Sequence, residues 1–217
     1  LRQSVRFDST TEQALEAASA LAPLHNPPAL AVLRKLASLL PDRPQVCVFD
    51  TSFFSTLDES AWRLPVPYEW FSEWGIRRFG FHGINHEHMV NRAMARCARR
   101  PLRVISLHLG SGCSATASLN GAAVATTMGY TPMDGLMMGT RSGALDPGVL
   151  IALLKERLLD LATLEDQLLH RSGLRGVSGI SGDFRSVEQA AIGGNSRAKL
   201  ALTLFASSIR QQIGAYM

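Results

Sequence analysis

The stretch Met138-Gly139-Thr140-Arg141-Ser142-Gly143, followed closely by Asp146-Pro147-Gly148, sets one arginine among small residues ahead of an apolar run. A guanidinium stays charged at any working pH, and its planar fork grips two oxygens of an anion at once. Small neighbours let backbone and ligand approach closely. Two other segments have the same make-up, Gly80-Phe81-His82-Gly83 and His108-Leu109-Gly110-Ser111-Gly112. In the second, the amides and hydroxyl of a glycine turn suit phosphate oxygens. Together the three segments point to anion chemistry, and to phosphoryl transfer in particular.

Each segment also has a plainer reading. His108 to Gly112 could be a tight β-turn that happens to hold two glycines, and no Gly-Lys-Ser/Thr follows to make it a Walker loop. His82 could be a core histidine with one satisfied nitrogen, although Gly80 and Gly83 beside it favour close ligand approach. Asp50 could be a strand-end turn cap. Asp183-Phe184-Arg185 could be a helix start with Asp183 at its N-cap. His82, His86 and His88 invite a metal reading, but the spacing is not that of a zincin, and His86 and His88 cannot share one helix face.

The elements that must position these groups are legible in outline. Ser9-Thr10-Thr11-Glu12 is a capping-box pattern ahead of an alanine-rich helix to about Leu21. Pro27 and Pro28 suit the start of a second helix through Leu40. Gln45 to Phe49 is a short apolar β run ending at Asp50-Thr51, and a carboxylate at the end of a buried strand is where α/β folds put functional groups. Tyr68 to Trp74 reads as a short helix closed by Gly75, and Asn85 to Arg99 as a longer one. Leu102–Leu109, Cys113–Leu119 and Ala122–Thr127 read as a β-meander, with Asn120-Gly121 as the hairpin signal. From Pro147 onward the pattern is helical, with a glycine-rich break at Gly173 to Gly182. A domain boundary is expected near residues 97–101.

Length and composition allow one or two folded domains: 217 residues, 46% hydrophobic and 18% charged. A net charge of +4 with dispersed arginines argues against a nucleic-acid partner. Cys47, Cys97 and Cys113 lack any CxxC and read as reduced thiols, those at 47 and 113 buried. No apolar run nears the ~18 residues that span a bilayer, and Leu1-Arg2-Gln3 has no signal-peptide layout. A cytoplasmic enzyme is expected. The chain begins without Met and ends inside an apparent helix, so a piece of a longer protein is expected.

Five segments in this order carry a resemblance: Ala22-Pro23-Leu24-His25-Asn26-Pro27, Val48-Phe49-Asp50-Thr51, Phe79-Gly80-Phe81-His82-Gly83, His108 to Gly112 and Met138 to Gly143. Together they resemble the acetate kinase family, which includes propionate and butyrate kinases, across essentially the whole chain. The resemblance implies the α/β fold shared by acetate and sugar kinases, heat-shock chaperone ATPases and actin. That fold has two duplicated ribonuclease-H-like domains around an active-site cleft. Residues 1–98 would be the remainder of the first domain and 99–217 the first part of the second, nucleotide-binding one. The implied reaction is ATP plus acetate or propionate giving ADP and an acyl phosphate, with Mg²⁺ or Mn²⁺, in a homodimer.

Position by position, the resemblance implies Asp50 as the active-site aspartate, and His82 and Arg141 as transition-state stabilisers. His108, Leu109, Gly110, Ser111 and Gly112 match the nucleotide-phosphate loop, and Asp183, Phe184 and Arg185 match a segment near the adenosine. Leu24, Phe81 and Pro132 match walls of a small apolar pocket for the substrate methyl. That pocket has no evident polar set for a sugar, which disfavours a sugar kinase of the same fold. Many members have asparagine where Ser111 stands. The family's opening strand with its Gly-Ser-Ser-Ser-Lys loop, its first substrate arginine, its later adenosine loop and its metal-binding glutamate have no counterpart here. No metal ligand is therefore assigned with certainty. The rival expectation is a non-catalytic remnant, and the 217 residues alone are expected to be nearly inactive.

Overall fold

Asn120 and Gly121 both take positive φ, 52° and 96°. This is the geometry that a two-residue hairpin turn requires and that Asn-Gly supplies cheaply. The turn joins β4 (Cys113–Leu119) to β5 (Ala122–Thr126), and β3 (Arg103–Leu109) pairs with the other edge of β4. The sheet is antiparallel, in order β3-β4-β5, with Ser106 opposite Thr116 and His108 opposite Ser114. The expected meander is therefore present. The computed structural model describes residues 3–21 and 26–217.

β4 is the central strand and is buried on both faces from Cys113 to Ser118. The residues of that buried run are all small, and the side chains alternate in chemistry as well as direction. Cys113 and Ala115 join Met128, Leu136 and Met138 in an apolar cluster on one face. Ser114, Thr116 and Ser118 face the other way and are buried too. The Thr116 hydroxyl meets that of Thr126 at 3.0 Å, and the Ser118 hydroxyl donates to the Val104 carbonyl at 3.4 Å. Among the described residues no buried side-chain nitrogen or oxygen lacks a hydrogen-bond partner, so the polar face costs little desolvation.

Before this sheet, β1 (Val5–Arg6) and β2 (Val46–Cys47) form a two-stranded antiparallel ladder. The β run expected over Gln45–Phe49 shortens to two residues because its partner is only two residues long. α1 (Ser9–Ala17) and α2 (Asn26–Leu39) pack on one another beside this ladder, and a 3-10 turn, Ala18–Leu21, follows α1. The capping box expected at Ser9 is corrected by one residue. Asp8, extended at φ −145°, is the N-cap and its carboxylate accepts the Thr11 N–H at 2.8 Å. A charged acceptor at the positive helix end outcompetes the adjacent hydroxyl, and Glu12 instead pairs with Arg34 on α2.

A 3-10 turn (Ser52–Thr56) follows β2, and then come the short α3 (Glu59–Trp62) and α4 (Glu69–Ser72). Gly75 closes the last at φ +65°, donating its N–H to the Phe71 carbonyl. α5 (Gly83–Arg96) lies on β3 and on the Ser52–Thr56 turn, around Phe53, Phe54, Leu57, Val90 and Ala123. It starts two residues earlier and ends three earlier than expected from the sequence. Cys97 is already extended, and the approach to Pro101 disfavours helix.

The second half is helical as expected: α6 (Pro147–Lys155), α7 (Leu161–His170), α8 (Gly173–Ser178), α9 (Phe184–Ile192) and α10 (Ser196–Tyr216). The glycine-rich break contains α8, a six-residue helix between Gly173 and Gly179, both at positive φ. α10 packs against α8, α9 and β4, with Val187, Ala198 and Ala201 fully buried. Cys47 and Cys113 are buried free thiols. Among the described residues no helix is long and apolar enough to cross a membrane.

Candidate active site

The site is organised by a corner in the chain. His82 sits in the left-handed region, φ 61° and ψ 25°, at the N-cap of α5. This conformation is costly for a residue with a side chain and persists only where the surroundings over-determine it. Asp50 holds it from below. Its carboxylate accepts the His82 N–H, and its backbone carbonyl accepts the Gly83 N–H at 2.9 Å. Only glycine fits at 83, because a Cβ there would lie 2.1 Å from the Asp50 carbonyl oxygen. Asp50 itself is held at the end of the β2 run, where the Ser52 N–H and hydroxyl both donate to the Phe49 carbonyl, at 3.0 and 2.7 Å.

The corner aims the His82 ring at β3 and β4. Its Nδ1 lies 2.9 Å from the Ser114 hydroxyl, and its face stacks on His108 with centroids 3.9 Å apart and planes 15° from parallel. Asn85, one turn into α5, donates its amide N–H to His108 Nδ1 at 2.7 Å. His108 therefore carries its own proton on Nε2, next to Gly110. His86 is fully buried, with Nδ1 on the Ser106 hydroxyl at 2.8 Å and Nε2 on the Ser114 hydroxyl at 2.7 Å. Burial, helped by its two histidine neighbours, pushes His86 down to about 4, so it is neutral at pH 7. His86 thus serves hydrogen bonds inside the fold, while His88 is exposed on another face of α5.

Arg141 closes the other side. Its Nη1 donates to the Pro132 carbonyl at 2.6 Å. Its Nη2 would lie 3.1 Å from a Cβ at Gly112, and the same point is 3.4 Å from His82 Nε2. The guanidinium and the imidazole therefore flank one small space beside the buried Gly112. Among the described residues no carboxylate pairs with Arg141. Desolvation weakens its hold on the proton, the nearby Cys113 acting slightly the other way. The Cys113 thiol is pushed up to about 11 by the same burial and stays protonated.

The arginine loop is fixed from three sides. The Gly139 N–H donates to the Ser111 carbonyl at 3.1 Å, tying it to the glycine turn of residues 110–112. The Thr140 hydroxyl donates to Leu169 at the end of α7, at 2.9 Å. The Ser172, Leu174 and Arg175 N–H groups donate to the Thr140, Met138 and Gly139 carbonyls, each at 2.9 Å. Gly139 and Gly182 touch backbone to backbone: a Cβ at 139 would lie 2.7 Å from the Gly182 carbonyl oxygen.

The structure thus brings Asp50, His82, His108, Gly112 and Arg141 into one cluster. Leu109, Gly110 and Ser111 form an exposed rim. Phe81 is half-buried on the Cys113–Met138 cluster, and Pro132 holds Arg141 by its carbonyl. Asp183 caps α9, accepting from the Ser186 N–H and hydroxyl, which keeps its carboxylate acidic. Phe184 and Arg185 are exposed on that helix's first turn. Leu24 lies outside the described residues. Sequence reasoning missed Ser106, Ser114 and Asn85. The signal for Ser114 is the alternation Cys113-Ser114-Ala115-Thr116-Ala117-Ser118, which puts every hydroxyl of that run on one face of a buried strand.

A sequence profile of the acetokinase family matches residues 1–217. The chain belongs to the acetokinase family. It is 50% identical to an acetate kinase of Synechococcus sp. (strain JA-2-3B'a(2-13)), over 100% of this chain and 54% of that protein. It is 48% identical to a propionate kinase of Citrobacter rodentium, with the same two coverages. Among solved structures, an acetate kinase of Porphyromonas gingivalis superposes with a TM-score of 0.92 at 41% identity, and covers 100% of this chain and 55% of its own. A propionate kinase of Francisella tularensis superposes at 0.95 with 36% identity, over 100% and 56%. The chain spans about half the length of the curated relatives it matches. Over that span it has the α/β fold of the acetokinases expected from the resemblance.

Proposed function

We propose that this chain supplies the central part of an ATP-dependent carboxylate kinase site, moving the γ-phosphoryl group to acetate or propionate. One observation carries the reading: a half-buried guanidinium that has no carboxylate partner among the described residues faces an imidazole across a space bounded by a glycine. A cation kept from water without a counter-ion is matched by an anionic ligand. Phosphoryl transfer needs little covalent help; it needs alignment and positive charge where the equatorial oxygens gather negative charge. Arg141 supplies the charge and His82 a directed hydrogen bond.

The glycine turn at 110–112, open at its rim and fastened to the arginine loop, would receive the nucleotide phosphates through its amides. Asp183-Phe184-Arg185, joined to that loop through the Gly139–Gly182 contact, would lie toward the adenosine. Phe81 and Pro132, with Leu24, would wall the substrate methyl. The near-equal identity to acetate and propionate kinases supports proposing either acid as the substrate.

Mg²⁺ is commonly held by one or two carboxylates together with phosphate oxygens and waters. Among the described residues no group of three acidic, histidine or cysteine side chains could enclose a metal. Asp50 is the carboxylate of the cluster that would hold Mg²⁺ or its waters; the bound ion would offset charge on the phosphates. The same reading assigns residues 1–98 and 99–217 to successive domains, divided where α5 gives way to β3. A homodimer and a cytoplasmic location belong to it through the family likeness. Hydroxamate trapping of acyl phosphate, with the enzyme that carries this chain, tests it. ATP-dependent product from acetate or propionate is expected, and no product from any two- to four-carbon acid would refute the assignment.

A further inference from the structure

The buried hydroxyls of β3 and β4 lead from a backbone carbonyl to the ring of His82. Their order follows from counting protons, since each hydroxyl has one to give. Ser106 has two acceptors in reach, His86 Nδ1 at 2.8 Å and the Thr116 carbonyl at 3.5 Å. The second distance is at the weak limit for a hydroxyl, so the proton goes to His86. A neutral His86 that accepts at Nδ1 carries its hydrogen on Nε2, and this donates to the Ser114 oxygen at 2.7 Å. The single proton of Ser114 is then directed to His82 Nδ1 at 2.9 Å.

We propose that Ser106, His86 and Ser114 form a one-way hydrogen-bond chain that holds His82 as its Nε2–H tautomer, which makes Ser114 and His86 positioning residues for phosphoryl transfer. The consequence lies on the far side of the ring. His82 Nε2 borders the space beside Gly112 that Arg141 also borders. With the chain in this direction the nitrogen presents a hydrogen to an anion. With the chain reversed a neutral His82 presents a lone pair there, and Ser106, now accepting from His86, has only the 3.5 Å contact for its own proton. A neutral donor also avoids setting a second full charge against the guanidinium. His108 also stacks on the ring, and Asp50 engages the His82 backbone N–H. The value of the tautomer to catalysis rests on the kinase reading above, but the tautomer itself does not.

The test is nitrogen NMR at one fixed pH on the enzyme carrying this chain, labelled with ¹⁵N-histidine and free of substrates. The expected spectrum has His82 Nδ1 in the unprotonated range and Nε2 in the protonated range. Ser114→Ala removes the directing proton, and the Nδ1 signal should move toward the protonated range. Its kcat should fall about tenfold while the KM for ATP changes by less than about twofold, the split expected when orientation and not ground-state binding is lost. His86→Gln keeps an amide N–H for Ser114 and should lose less kcat than His86→Leu. A protonated Nδ1 on His82 in the unmodified enzyme overturns the proposal, even if the variants fail to fold. So does a Ser114→Ala enzyme with an unchanged tautomer. Because the spectrum needs no substrate, failure of the kinase assay and failure of the chain remain separate results.

Discussion

Replacing Gly112 with alanine puts a methyl group into the space between the guanidinium and the imidazole. The added carbon would sit 3.1 Å from Arg141 Nη2, 3.3 Å from His82 Cε1 and 3.4 Å from His82 Nε2. All three atoms are tips of side chains, which can retreat by a few tenths of an ångström. Gly112 is also not among the glycines with positive φ, so alanine brings no backbone strain. The stability cost should therefore fall at the low end of overpacking, about 1 kcal/mol. On the proposed reading the functional cost is larger, because the methyl would occupy the position a phosphoryl oxygen would need in order to touch both donors. Removing one such donor typically costs ~10²-fold in rate, about 2.7 kcal/mol, and Gly112→Ala should lower kcat by at least that much. Gly83→Ala is the control: its Cβ meets a backbone oxygen at 2.1 Å, so it should cost about 3 kcal/mol or more and fail as a fold. Coupled ADP release and thermal melts on the enzyme carrying this chain measure both. A folded Gly112→Ala enzyme with near-parental kcat would refute the placement of the reacting group, and one that unfolds like Gly83→Ala would refute the account of the space.

Arg141→Ala should lower kcat by ~10²–10³ while moving the KM for ATP little, and lysine should restore only part, since a point charge cannot reproduce a planar fork; steady-state kinetics with normal folding and parental kcat would contradict this. His86 carries a pH signature in stability. Its folded value of about 4 lies below the ordinary value of 6.5, so between these the unfolded chain binds a proton that the native one refuses. Stability should then fall as pH drops from 6.5 toward 4, by up to about 3 kcal/mol from this residue. His86→Gln should flatten that part of the profile in urea titrations at a series of pH values; an unchanged slope would show that His86 charges in the native state.

Several features were already written in the chain. The Asn120-Gly121 turn and its flanking strands follow from local backbone preference, and the helical second half from composition and proline-glycine punctuation. The expectation that the Arg141 loop meets an anion rests on residue type alone, and the order of five short motifs was enough to expect the family. Other features needed the tertiary structure. Asp8 rather than Ser9 caps α1 because two neighbouring candidates compete for the same amides, and only the backbone turn decides between them. The β2 run shortens because pairing depends on the length of a partner more than thirty positions away. His86, whose spacing to His82 and His88 argued against a metal but left its role open, proves to be a buried neutral link between serines on two different strands. Ser114 was legible only as one of several hydroxyls on a buried strand face, since its contact with His82 depends on the α5 corner bringing the ring to it. Residue type limits the chemistry available locally. Which atoms face each other across 30 residues or more is set by strand register and helix packing, and these depend on the whole chain at once.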